Sequence, residues 1–565
     1  MRKVIALLLM LSLCFCMIAC SKGESSNSST FPAEESSSII QDDAYSEDYY
    51  TVTMTASFPL YTDPAVATSA IEYVAMANLY DPLVFVELDG SISPHVADSW
   101  EISDDGLTYT FFLKENISFH DGSNLNADDV AYSMNRVLEM GQGLSYLYTT
   151  YVDSAEATDE YTVVFHMKQI YGPFIKALGC FYILNKDLVE ANYSDGFYGE
   201  KGDYGAGYLN DKDAGSGPYT ITEYVMGESF KASIYEDWFK GFKENTPKYL
   251  RIIPSVDTVT IKTLMENRTL TIVDEWQSTT TVNDLDAIEG VGVAALNIGS
   301  MASIEMNTKI APTDCKHFRK AMSYLFDYNT AVTQIYPDAS IPFGPISSVY
   351  EGSLDSEPMK FDLEMAKSEL ALSEYANQLE DYTVDLYWLS DVPDMEKLSL
   401  LLQVSAKEVG ININIVKTTY MNSIELATSV ETTPHMMISY PAASFSDASA
   451  VFLMRYHSSN SGTSNQFEWL QNPDIDEAIE DAIATLDDND RYAKYREIQK
   501  NIIDLAPTIW MFESPELRAY QEGFLEWDAA EAAKQGTFNC AVIGRYVYLP
   551  EMRIYPEKRA ELLKK

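Results

Sequence analysis

The first apolar run, residues 4–16, is 13 residues long and follows Arg2 and Lys3. It is too short to cross roughly 30 Å of hydrocarbon, so it predicts an export signal rather than a membrane-spanning helix. Beyond it, residues 21–48 are rich in Ser, Asp and Glu and have almost no apolar periodicity. Such a stretch buries too little surface to offset its conformational entropy and predicts a disordered tether. Periodicity returns at Tyr49. The segment YYTVTMTASF alternates like a strand, and the pattern over 67–80 predicts a helix that stops before Asp81-Pro82. Residues 100–102 and 108–113 read as two strands around a turn at 103–106. A helix should start at Asn126 or Asp128, with Val130, Met134, Val137 and Leu138 on one face. Trp100, Tyr109 and Phe111 are expected in a core. His120-Asp121-Gly122 is expected to be a turn rather than a catalytic dyad.

Mixed strand and helix patterns predict an α/β body of about 515 residues, long enough for at least two lobes. No second low-complexity linker and no repeat interrupts the chain after Tyr49, so the lobes should not be joined by a simple linker. Loss of the signal leaves 37 basic against 85 acidic residues, a net charge of −48. That charge repels nucleic acid and disfavours electrostatic docking on anionic lipid. After Cys20 only Cys180, Cys315 and Cys540 remain, so at most one disulfide forms and the core must rest on packing.

Two resemblances sharpen these expectations. Met-Ile-Ala-Cys, ending at Cys20, resembles the lipobox of bacterial lipoproteins, although Met17 stands where Leu is commonest. It implies cleavage after residue 19, a lipid on the Cys20 sulfur and a tether over 20–48 holding the body to the extracytoplasmic face of the cell membrane. YDPLVF (80–85), PHVADSW, FHDGSNLNADDVAYSMNR (119–136) and SGPY (216–219) form an ordered set. It continues with IEMNTKIAPTDCKHFRKAMSYLFDYNTAV (304–332) and closes with the segment 476–513. Together these resemble the family 5 extracellular solute-binding proteins of ABC importers, which include oligopeptide, dipeptide and nickel binders. The resemblance implies a two-lobe periplasmic-binding-protein-like α/β fold with hinge closure. Lobe one would hold 49–300 and 506–565, with an extra subdomain at about 77–214, and lobe two 301–505. The crossings are expected near 299–307 and 505–512. The partners would be a peptide or other small solute, a permease with its ATPase subunits and the membrane through Cys20. Neither nucleic acid nor cofactor is expected, and the protein should be a monomer.

On that frame the expected ligand contacts are Ser57, Phe58, Trp276 and Gln277 on one wall, facing Phe343, Trp388, Tyr440, Ser444 and Asp447. In the family's peptide binders a carboxylate in the segment matching 440–452 pairs with the peptide ammonium. Here that position falls at Ser444, with Asp447 three residues on. A neutral hydroxyl cannot supply a charge-assisted bond, so either Asp447 or another acid takes the role, or the ligand is not an ordinary peptide. An enzyme is not expected: there is no G-x-S-x-G, H-E-x-x-H or P-loop, and the six histidines never lie within four residues of one another. That spacing argues equally against a local metal motif. The alternatives are an oligosaccharide binder, motivated by 38 tyrosines, a nickel-binding member of the same family, or a surface adhesin or sensor.

Overall fold

Strand Thr51–Ala56 is buried on both faces, which places it inside a sheet. It runs parallel to Tyr249–Pro254, and the sheet continues through Ser229–Ile234 to Tyr219–Val225. On its other side Ile272 bridges Met54 and Tyr520, which brings in the antiparallel pair Gly292–Leu296 and Glu516–Tyr520. The structure is a computed structural model that describes residues 45–56, 60–337, 339–390, 392–440 and 444–565. The signal, Cys20, most of the tether, Ser57 and Phe58 lie outside the described residues. Tyr45 and Asp48, inside the expected tether, already make contacts with later residues. Tyr45 stacks on Tyr49 with ring centroids 5.0 Å apart, and the Asp48 carbonyl accepts from Arg559.

A second, antiparallel sheet is ordered Ala97–Ile102, Thr108–Leu113, Thr162–Met167, Val152–Asp159. Tyr109, Phe111 and Leu113 alternate into its core, and Trp100, only half-buried, packs on Phe111. Helix Ala127–Met140 lies against this sheet. Its start is set by a capping box in which Asn126 caps and Asp129 reaches back, and its end by Gly141 at φ 62°. Arg136, from the same helix, donates two bonds of 2.7 and 2.6 Å to buried Asp63, a bidentate pair that ties this layer to the first lobe. His120 bonds Asp213 and the Gly217 carbonyl and is committed to structure.

The second lobe is built on a five-stranded sheet ordered Asn412–Thr418, Thr383–Leu389, Met436–Ser439, Met301–Met306, Thr508–Glu513. Helices Lys316–Leu325, Leu363–Leu372 and Asp394–Glu408 contribute to its separate core, which includes Phe318, Leu370 and Leu398. Because Thr508–Glu513 belongs to this sheet, the chain returns to the first lobe at Ser514-Pro515, later than residue 506. The outward crossing is 297–300, where Gly299 at φ 80° adopts a backbone shape that other residues resist. The lobes are shut against each other. Phe445, Phe452, Tyr495 and Ile498 share one apolar core with Tyr171 and Phe174 beside the antiparallel sheet. No helix among the described residues is long and apolar enough to cross a membrane.

Candidate ligand-binding site

The strand-to-loop turn after Ile272 carries the acidic sequence DEWQ. Asp274 is its anchor. It accepts from Thr55 Oγ1 at 2.8 Å, from Ser255 Oγ at 3.1 Å, from the Trp276 amide at 3.1 Å and from Gln277 Nε2 at 3.0 Å. With its own carboxylate so occupied, Asp274 presents its neighbours outward. Glu275 and Gln277 line a cavity of about 90 Å³, and Trp276 is 56 % exposed. From the second lobe Tyr336, Pro337 and Ala339 close the same cavity, and Ser514-Pro515, the return crossing, form part of its wall with Glu516. A site walled by both lobes and by the segment connecting them changes shape when the lobes move.

Charge in this cavity does not balance. Arg518, 2 % exposed, donates to Glu275 Oε2 at 2.7 Å and to Glu516, so two carboxylates share one guanidinium. Tyr546 adds a bond to Glu516 Oε2 at 3.1 Å. Burial pushes the Glu275 carboxyl up to about 7; Arg518 opposes the rise, while Glu516 and Asp274 add to it. The aromatic wall is equally organised. Tyr440 donates to the Tyr336 hydroxyl at 2.9 Å, and Tyr336 packs on Phe512 with centroids 4.6 Å apart.

Of the residues expected from sequence, Gln277 lines the cavity, Trp276 stands exposed next to it in the chain and Tyr440 braces Tyr336. Phe343 is half-buried. Trp388 is 5 % exposed in the second lobe's core, with Lys417 Nζ 5.2 Å from its ring centroid, which corrects its expected contact role. The reason is phase: in Thr383–Leu389 the positions of Val384, Leu386 and Trp388 point into the core.

Ser444 and Asp447 sit at a junction between the lobes. Ser444 Oγ is 2.9 Å from the Tyr146 hydroxyl, and its carbonyl accepts from Cys180 Sγ at 3.1 Å. Asp447, 2 % exposed, caps helix Ala448–Val451 through Ser449 and accepts from Tyr495 at 2.8 Å. Its other oxygen faces Arg491 at 3.7 Å and Lys176 Nζ at 3.8 Å. The ammonium beside Asp447 in this structure is the chain's own, that of Lys176. Glu275, Tyr336, Glu516 and Arg518 were missed by sequence reasoning; the charged sequences DEWQ, after the apolar run ending at Val273, and PELR, opening strand Glu516–Tyr520, were the available signal. Among the described residues no group of three or more His, Cys, Asp or Glu is arranged to hold a metal ion.

Two lobes with a cavity at the crossing between them define a solute-binding protein. The chain belongs to the bacterial extracellular solute-binding proteins, family 5, whose pattern it matches over residues 91–463. It is 24 % identical over 548 residues to heme-binding protein A of Haemophilus influenzae, covering 91 % of this chain and 96 % of that one. It is 27 % identical over 478 residues to di/tripeptide-binding protein 2 of Pseudomonas aeruginosa, covering 79 % and 86 %. Its fold matches the ABC transporter-associated periplasmic binding protein DppA of Helicobacter pylori, solved with the peptide STSA. The TM-score is 0.73, at 19 % identity over 89 % of this chain and 98 % of that one.

Proposed function

We propose that this protein is the lipid-anchored receptor of an ABC importer, which captures short peptides outside the cytoplasm and delivers them unchanged to a permease. The observation that carries the reading is the cavity at the crossing, walled by both lobes in a chain of this family. Peptide is favoured as the solute by the peptide-binding relatives and by a site with hydrogen-bonding groups and aromatic faces together. The ligand acts by bonding to both lobes at once, so it binds the shut form better than the open one and shifts the population toward it. The body recognises and orients; no side chain is asked to make or break a bond. Cys20 carries the lipid in this reading, and the acidic tether keeps the body clear of the membrane.

Thermal unfolding of the mature protein with di-, tri- and tetrapeptides, and separately with oligosaccharides, tests this. Peptides should raise the melting temperature and be recovered intact, since a ligand at a hundred times its Kd stabilises by about 2.7 kcal/mol. Stabilisation by oligosaccharides and by no peptide would assign a different solute.

A further inference from the structure

We propose that the cavity selects a solute bearing a cationic group, an ammonium or guanidinium, held by the carboxylates of Glu275 and Glu516. The proposal rests on the reading of this cavity as the solute site and names what that site selects.

Three separate observations meet here. The cavity exists independently of charge, and its volume of about 90 Å³ suits an end group rather than a whole peptide. With Glu275 and Glu516 both ionised the charge here is negative in excess, because the two share the single Arg518 and Asp274 stands beside them. An uncompensated carboxylate in a partly desolvated site is costly, and a ligand cation relieves that cost where a neutral ligand does not. Finally, an aromatic side chain, Tyr336, lines the cavity. Aromatic faces with carboxylates suit cations, which the ring quadrupole attracts. Asp447 lies elsewhere, at the junction between the lobes, where its Oδ1 accepts from Tyr495 and its Oδ2 faces Arg491 at 3.7 Å and Lys176 at 3.8 Å.

The groups facing Glu275 are Arg518 and Glu516 from strand Glu516–Tyr520, Asp274 from its own loop and Tyr546, which bonds Glu516. Before binding, Glu275 holds a proton over part of the neutral range; an arriving cation favours the ionised form and expels it. Affinity for a cationic solute should therefore fall as the pH drops below about 7, the value to which this carboxyl is raised.

The test is titration calorimetry of wild type, Glu275→Gln and Glu516→Gln with four probes: Ala-Ala-Ala, N-acetyl-Ala-Ala-Ala, N-acetyl-Ala-Lys-Ala and spermidine. Preference for Ala-Ala-Ala over its acetylated form assigns the cation to the peptide's amino end, and preference for the acetylated lysine peptide assigns it to a side chain. Each Gln variant should bind the preferred cationic probe about tenfold or more weakly, and the neutral peptide about equally. Equal affinity for charged and neutral peptides, unchanged in the variants, overturns this proposal and leaves peptide binding standing. Spermidine binding that is lost in the variants, with no peptide bound, keeps the proposal and removes the peptide reading. Binding of no probe overturns both. Should a variant fail to fold, wild type alone still decides: preference for a charged peptide over N-acetyl-Ala-Ala-Ala supports the proposal, and equal affinity for all three peptides refutes it.

Discussion

Replacing Asp447 by Asn distinguishes a structural acid from a ligand anchor. Asn keeps the side-chain oxygen that caps Ala448–Val451 and accepts from Tyr495, since Asn and Asp cap about equally well. What disappears is the negative charge between Arg491 and Lys176. Leaving a buried cation, here Arg491, without its partner costs about 3–5 kcal/mol. The separations of 3.7 and 3.8 Å are too long for hydrogen bonds, and Arg491 retains its pair with Asp488, so the lower end, about 3 kcal/mol, applies. The body runs from Tyr45 to Lys565. At about 2.1 cal/mol/K per residue its unfolding entropy is about 1.1 kcal/mol/K, so Asp447→Asn should lower the melting temperature by about 3 °C if it unfolds as one unit. Calorimetric unfolding measures that shift, and titration with free and N-acetylated peptide measures recognition. In the structural role the melting point falls and any loss of affinity is shared by both peptides. An unchanged melting point, with a selective loss of affinity for the free peptide, would refute the reasoning and return Asp447 to the ligand.

Gly172 donates from its amide to the Ile483 carbonyl at 2.9 Å, and a Cβ there would stand 2.2 Å from the Thr485 carbonyl oxygen. Gly172→Ala should therefore resist closure and raise the Kd of a bound peptide by about tenfold, since overpacking typically costs 1–3 kcal/mol; an unaltered Kd in titration calorimetry would show that this contact is absent from the bound state. Saturating ligand should reduce the radius of gyration in small-angle scattering, and equal values with and without ligand would argue against hinge closure. Cys20→Ala should release the protein from membranes or leave its signal uncut, as fractionation with intact-mass analysis will report; normal processing with membrane retention would remove the lipid anchor.

Much of the architecture was legible because periodicity reports burial. The alternation of Tyr109, Phe111 and Leu113 and the capping signal at Asn126 each led to the element found. The lobe boundary was harder. Strand Thr508–Glu513 is buried throughout, and an unbroken apolar run does not say which sheet it joins; only its pairing with Met301–Met306 does. The site was less legible still. Trp388 and Trp276 both follow short apolar runs, yet one fills a core and the other stands in solvent, because strand phase and loop direction decide exposure rather than residue type. Glu275 and Glu516 are 241 positions apart in an acid-rich chain, so nothing local marked them as sharing Arg518. Asp447 was singled out for its place in a family segment, while the groups that occupy it, Lys176, Arg491 and Tyr495, lie far away in sequence.

Mass spectrometry of the protein purified without denaturation bears most directly on solute capture. The native spectrum should show the mature protein carrying a small adduct that is released intact on denaturation, with a fragmentation pattern of a short peptide bearing a free cationic group. A preparation with no adduct, whose melting temperature no peptide raises and which leaves every offered peptide unbound, would contradict peptide capture by these lobes.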